Sequence, residues 1–264
     1  MPVTALLGCL LLPLVQGLTS VHTKLFNNVK DALGLKPTDF ALKYDAAEFR
    51  ENGFEGFCEW WDEAKGSKLT GVSCNCIRNP SSGFELLTLN CWMGPAYNCP
   101  HMLLSIGRDP SLSGSSIRAD YLPRGPIPLG SDQTAMEMYF GSDVMQWYDS
   151  AVKASNYHFL PPSSSFYGRL LRSPVELAVY GLDDASVAAI ATEHVERWIS
   201  YVLDAQQNEA RSRGAINTRD DKQRMFAYRA ELSEATSWVG ADFGPSLAAA
   251  RTGPVAEAYV GGGG

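Results

Sequence analysis

The sequence predicts an α/β/α sandwich: one central, mainly antiparallel sheet with helices on both faces. Three observations carry this. The middle of the chain holds consecutive short apolar or alternating runs separated by turn clusters, the signature of strands joined as hairpins. Helical periodicity flanks those runs on both sides. The composition, 45% hydrophobic and 19% charged over 264 residues, suits a buried core rather than a disordered chain.

The chain opens with an apolar run, Leu6 to Leu14, followed by Val15-Gln16-Gly17. This reads as the apolar part of a secretory-type signal with a small-residue cleavage site, so residues 1–17 are expected to form a targeting segment; a start inside a longer transit peptide is the alternative. The run is too short to span a bilayer. Leu25, Phe26, Val29 and Leu33 recur at helical spacing, with Gly34 and Pro37 as stop signals, which predicts a short amphipathic helix over 23–34.

Lys68 to Ile77 alternates, placing Leu69, Gly71, Ser73 and Asn75 opposite Thr70, Val72, Cys74 and Cys76. Asn79-Pro80-Ser81-Ser82-Gly83 is a turn cluster, and Phe84 to Trp92 returns as the second strand of a hairpin. His101 to Ile106 and Ile117 to Leu122 are further strands. Arg124 to Gly130 reads as a loop, and 131–155 turns helical with a break at Gly141. Phe166 to Leu171 and Val175 to Tyr180 read as two late strands joined at Ser173-Pro174. Asp184 or Ser186 caps a helix with the stripe Val187, Ile190, His194, Trp198 and Val202. Residues 211–221 look loop-like. Gln223 to Glu234 and Pro245 to Tyr259 are helix candidates, and the last four glycines form a tail.

Several function classes are excluded. A net charge of −7 argues against nucleic acid as the main partner, because phosphate binding needs clustered Lys and Arg. The motifs of P-loop, dinucleotide-binding, zinc-protease and α/β-hydrolase chemistry do not occur. Cys74 and Cys76 read as small core residues, since no second Cys/His pair supplies metal-ligand spacing. His194 falls on an apolar stripe and reads as a core histidine, while His101 and His158 are placed where either could face a cleft. Glu59-Trp60-Trp61-Asp62-Glu63 reads as a sheet edge with solvated acids. The six cysteines would be an odd set once Cys9 is removed, and no glycosylation sequon occurs, which points to a reducing compartment such as a plastid reached by a secretory-type route; the secretory pathway itself is the alternative.

An ordered set of segments resembles the red chlorophyll catabolite reductases, plant relatives of the ferredoxin-dependent bilin reductases. It comprises Glu85-Leu86-Leu87-Thr88-Leu89-Asn90, Cys99-Pro100-His101, Asp120-Tyr121-Leu122-Pro123-Arg124, the Tyr-rich helix Tyr139 to Tyr148, Ser163-Ser164-Ser165-Phe166-Tyr167 with Arg169 and Ser173-Pro174, then Arg219-Asp220 and Phe243-Gly244. The resemblance covers roughly residues 25–260 and implies one domain over 23–260 with a Gly tail at 261–264. It implies an open-chain tetrapyrrole, red chlorophyll catabolite or a bilin, held between the sheet and the C-terminal helices. Reduced ferredoxin is then the electron donor and partner, with no bound flavin, haem or metal, and a homodimer stays open.

The same resemblance assigns the chemistry. Asp120 and Glu234 or Glu231 would supply protons, and Arg124, Ser105 and His101 would contact the substrate. Ser105 stands where the family carries a strand acid. That departure keeps a second reading open, a tetrapyrrole carrier that does not reduce its ligand. It also leads to the expectation that Ser105→Glu speeds turnover by restoring a general acid.

Overall fold

In the computed structural model, the described residues are 16–62, 68–94, 96–97, 99–123, 137, 139–153, 157–163, 165–205 and 213–253. Among them, nine strands form one sheet: β1 (Lys36–Thr38), β2 (Glu48–Glu51), β3 (Phe54–Asp62), β4 (Leu69–Asn79), β5 (Phe84–Met93), β6 (His101–Arg108), β7 (Ser115–Leu122), β8 (His158–Phe159) and β9 (Leu177–Leu182). Their order is β1-β3-β4-β5-β6-β7-β9-β8, with β2 also on β3. Every pairing among them is antiparallel. Among the described residues the helices are α1 (Gln16–Leu33), α2 (Ser142–Lys153), α3 (Phe166–Leu170), α4 (Asp184–Asp204) and α5 (Arg213–Thr252). The sandwich expected from the sequence is the architecture observed.

The β4–β5 hairpin shows how local chemistry sets the register. The Asn79 side-chain carbonyl accepts hydrogen bonds from the backbone N–H groups of Ser81 and Ser82, closing the turn with its own side chain. Gly83 supplies the left-handed residue, φ 80°, that returns the chain to the sheet. Alternation then sends Leu87, Leu89 and Cys91 to one face, where they meet α1, α2 and α4 through Leu25, Val144, Val195 and Trp198. Cys74 and Cys76 join this core, as the strand pattern predicts. A fully buried Leu89 or Val195 contributes about 1.5–3 kcal/mol.

The other face is covered by the 3-10 turn Phe40–Tyr44, α3 and α5. Helix α5 is broken at Gly240, whose φ of 86° and ψ of 173° are not helical. The two arms fold back on each other. Glu231 in the first reaches Arg251 in the second at 2.8 Å, and a Cβ on Gly244 would come within 2.8 Å of the Thr236 Cα. The expected pair of C-terminal helices is therefore present, but the break is a single glycine rather than a linker, and the first arm begins at Arg213 inside the stretch read as a loop.

Other elements differ from expectation. Phe166–Leu170 is helical, not a strand: Ser165 caps it by accepting the Gly168 N–H, a capping signal that outweighs the short apolar run. Helix α1 starts at Gln16 rather than residue 23, because Leu18 and His22 extend the buried stripe of Leu25 and Val29 by the same 3.6-residue period. His22 is buried with Nε2 3.0 Å from the Thr88 carbonyl, and burial lowers its pKa. The Glu59–Asp62 segment is interior, since β3 pairs with β1 and β2 on one side and β4 on the other, and Trp60 is buried against Gly71 and Gly253, where a Cβ would overlap its ring. The helix expected over 131–155 is observed at Ser142–Lys153. Residues 1–15 of the expected targeting segment and the Gly tail lie outside the described residues.

Candidate functional site

The polar face of the sheet forms the floor of a cavity of about 360 Å³. Two cross-strand rows build it. Asn90, Leu103 and Asp120 stand side by side on β5, β6 and β7, and Thr88, Ser105 and Arg118 form the next row. Helix α5 supplies the roof with Glu231, Glu234, Trp238 and Arg251, and the segment from Leu160 to Glu176 supplies one wall. The alternation that points Leu104, Ile106, Ile117 and Ala119 into the opposite core necessarily points Ser105, Arg118 and Asp120 here.

Four residues singled out from the sequence therefore border one cavity: Ser105, Asp120, Glu231 and Glu234. His101 does not line it. Its ring is fully buried, packed edge-on to Trp92 at 5.1 Å, and its Nδ1 accepts the Met93 N–H at 2.9 Å. The expected substrate contact of His101 is corrected on that ground: the backbone of β5 and a tryptophan hold the ring. Arg124 lies outside the described residues. His194 is a core residue as expected, stacked 4.3 Å from Tyr121 on the far side of the sheet, where burial drives its pKa down to about 3. His158, the other cleft candidate, lies on the short edge strand β8, its ring 5.2 Å from that of Tyr180.

Asp120 is the chemically distinctive group. It is 3% exposed. One carboxylate oxygen accepts the Ser173 N–H at 3.1 Å, and the other accepts the Ser173 hydroxyl in a short hydrogen bond. Burial pushes its pKa up to about 7 against the opposing pull of these hydrogen bonds, with a smaller upward push from nearby Glu176. Glu231 is raised for the same leading reason, desolvation, in spite of Arg251 beside it. A carboxyl that gains and loses its proton near neutrality can act as a general acid or base.

The wall adds charges that sequence reasoning missed. Glu176 is held between Arg118, at 3.4 Å, and Arg172, at 3.0 Å, so two guanidinium groups share one carboxylate. The triad carries a net positive charge at the rim of an otherwise acidic protein, and can attract a ligand carboxylate. The signal for Arg118 was present in the sequence, a charged residue alternating with Ser116 and Asp120 in an apolar strand. Nothing in the local pattern joins it to Arg172 or Glu176. Among the described residues, no group of three or more His, Cys, Asp or Glu is placed to hold a metal ion, and no helix is long and apolar enough to cross a membrane.

No protein-family model matches the sequence, and no curated protein matches it. Solved structures do. The fold is that of phytochromobilin synthase. The tomato enzyme, solved in complex with biliverdin, superimposes with a TM-score of 0.70 over 89% of this chain and 83% of its own, at 14% sequence identity. At that identity the likeness to phytochromobilin synthase is one of architecture, the same antiparallel sheet between helical layers.

Proposed function

We propose that this protein binds an open-chain tetrapyrrole in the cavity between the sheet and α5, and reduces it with electrons from ferredoxin. The observation that carries the reading is Asp120: a buried carboxyl that titrates near neutrality, on the floor of a cavity roofed by Trp238 and bordered by guanidinium groups. The shared fold with a protein solved on biliverdin supports the ligand class, and the ordered sequence resemblance to red chlorophyll catabolite reductases supports the chemistry.

In this reading each reduced double bond takes two electrons, delivered one at a time by two reduced ferredoxins, and two protons. Asp120 supplies one proton and is recharged from solvent. The Glu231–Glu234 side of the roof is the second source, and Arg118 and Arg172 hold acidic substituents of the ligand. No bound flavin, haem or metal is required. The chain acts as one domain that includes α1 from Gln16 rather than starting at residue 23, and a plastid is the compartment that holds both ferredoxin and chlorophyll products.

Anaerobic incubation with ferredoxin, its reductase and either red chlorophyll catabolite or biliverdin tests the proposal and separates the two substrates. Loss of the long-wavelength absorption of one, dependent on ferredoxin, is the expected result. Ser105 favours a second reading, a carrier, because a serine cannot replace a strand acid as proton donor. Tight binding of both tetrapyrroles with reduction of neither would establish the carrier.

A further inference from the structure

We propose that Ser173 is a positioning residue that fixes and poises the Asp120 carboxyl, so that the pair Asp120–Ser173, rather than Asp120 alone, forms the proton-handling unit of the cavity. The inference rests on the functional reading above, in which Asp120 is the proton donor, and deepens it.

The geometry is unusual in that one residue engages both oxygens of the carboxylate. The Ser173 N–H donates to one, at 3.1 Å, and the Ser173 hydroxyl donates to the other. The serine is itself immobilised. Its hydroxyl oxygen accepts the Val175 N–H at 3.1 Å, and its carbonyl accepts the Glu176 N–H at 3.3 Å, which makes Ser173-Pro174-Val175-Glu176 a closed turn. Pro174 suits the second position of that turn because its φ is preset. The turn leads straight into β9, which pairs with β7, so Asp120 and Ser173 are held at opposite ends of one short rigid path.

The two donors differ in kind. A backbone N–H can only donate, whereas a hydroxyl can donate to the ionised carboxylate and accept from the protonated acid by rotating its hydrogen. The clamp therefore survives both protonation states, and the carboxyl keeps its direction through a cycle. The Tyr121 backbone N–H also favours the ionised carboxylate but can only donate, and the charged groups around Asp120 are engaged elsewhere. Arg118 and Arg172 are paired with Glu176, and Glu231 is paired with Arg251. Glu234 lies across the cavity, His101 accepts from the backbone of β5, and Arg224 lies over Trp92. Hydrogen bonds to the ionised form favour it, so the serine hydroxyl opposes the burial that favours the protonated acid.

The test reads the carboxyl directly. Infrared difference spectra of the ligand-free protein, recorded as a function of pH, report the protonated carboxyl band of Asp120, identified as the band lost in Asp120→Asn. Removing only the hydroxyl in Ser173→Ala should move the midpoint of that band upward by about one pH unit or more. Ser173→Thr, which keeps the hydroxyl, should return it toward wild type, and Ser173→Cys, a weaker donor, should fall between and serves if the alanine variant does not fold. A midpoint unmoved by Ser173→Ala, a threonine variant that behaves like alanine, or the absence of any such band between pH 5 and 9, each a plain spectroscopic result, would overturn the proposal. Because turnover is not the readout, a failure here is distinct from failure of the tetrapyrrole-reductase reading. Where turnover is found, its pH limb should shift with the band.

Discussion

Arg118 stands directly opposite Ser105 on the neighbouring strand, both on the floor of the cavity. This pairing reverses an expectation drawn from the sequence, that Ser105→Glu would restore a missing proton donor. A carboxylate placed there would face a guanidinium as its immediate cross-strand partner, and the opposite charge would hold it ionised. Turnover of Ser105→Glu at neutral pH should therefore not exceed that of wild type. Adding Arg118→Gln should release the acid and raise the single-turnover rate at saturating ligand, by up to the 10²- to 10⁴-fold roughly typical of a positioned general acid, while weakening ligand binding because one guanidinium is lost. A single variant that is already faster, in single-turnover measurements, would remove Arg118 from the account.

Asp120 gives the protein a pH-dependent stability of known sign. Burial pushes its carboxyl up to about 7 in the fold, from an ordinary value of 3.8 when exposed. Between those values the folded state binds more protons than the unfolded state, so stability falls as pH rises through this window. Above about 7 the loss is complete. Urea midpoints of the wild type should decline from pH 4 to pH 8 beyond the trend of Asp120→Asn, whose amide does not titrate. Parallel curves for the two proteins would show that Asp120 is not the group responsible.

Glu176 neutralises only one of its two guanidinium neighbours. The surplus charge should matter for ligands that carry a carboxylate. Arg172→Gln is expected to weaken binding of biliverdin by about 10- to 100-fold, the equivalent of one charge-assisted hydrogen bond of roughly 1.5–3 kcal/mol. Binding of the biliverdin dimethyl ester should change little. Equal losses for acid and ester in fluorescence titrations would mean that Arg172 shapes the wall without contacting the acidic group.

Gly240 is where the roof helix turns back. Its backbone angles, φ 86° and ψ 173°, belong to a region that is essentially restricted to glycine, and a Cβ there would approach the Asn52 amide nitrogen at 2.6 Å. Gly240→Ala should cost about 1–3 kcal/mol of stability. Because Glu231 and Arg251 sit on different arms of the break, the same change should also disturb their ion pair. A lowered urea midpoint with unchanged slope would be the expected form of the result, and an unchanged midpoint would argue against strain at this position.

The parts of the fold legible in the sequence were those governed by local periodicity. Strands β4 to β7 were visible because their side chains alternate, and α4 because Val187, His194, Trp198 and Val202 recur at helical spacing. Helix α3 was misread because five residues of mixed apolar character fit either period, and only Ser165 as a cap distinguishes them. At the site, Asp120 was reached through the family resemblance of Asp120-Tyr121-Leu122-Pro123-Arg124 rather than through the strand pattern. Ser173 was legible only as a turn residue before Pro174, and the links of Ser173 to Asp120 and of Glu176 to Arg118 were not, because these partners are 53 and 58 residues apart in the sequence and are brought close by the β7–β9 pairing.

The five described cysteines, Cys58, Cys74, Cys76, Cys91 and Cys99, are all reduced and buried, and burial pushes the Cys58 thiol up to about 12. Thiolates react and thiols do not, so alkylating reagents should find these positions silent in the intact molecule. Each cysteine is then a clock on sheet opening. Cys58 on β3, Cys74 and Cys76 on β4, and Cys91 on β5 mark three adjacent strands, and Cys99 the entry to β6. The order in which mass spectrometry sees them labelled under mild urea would reveal whether the sheet comes apart from its β1–β3 margin inward or opens as one cooperative unit.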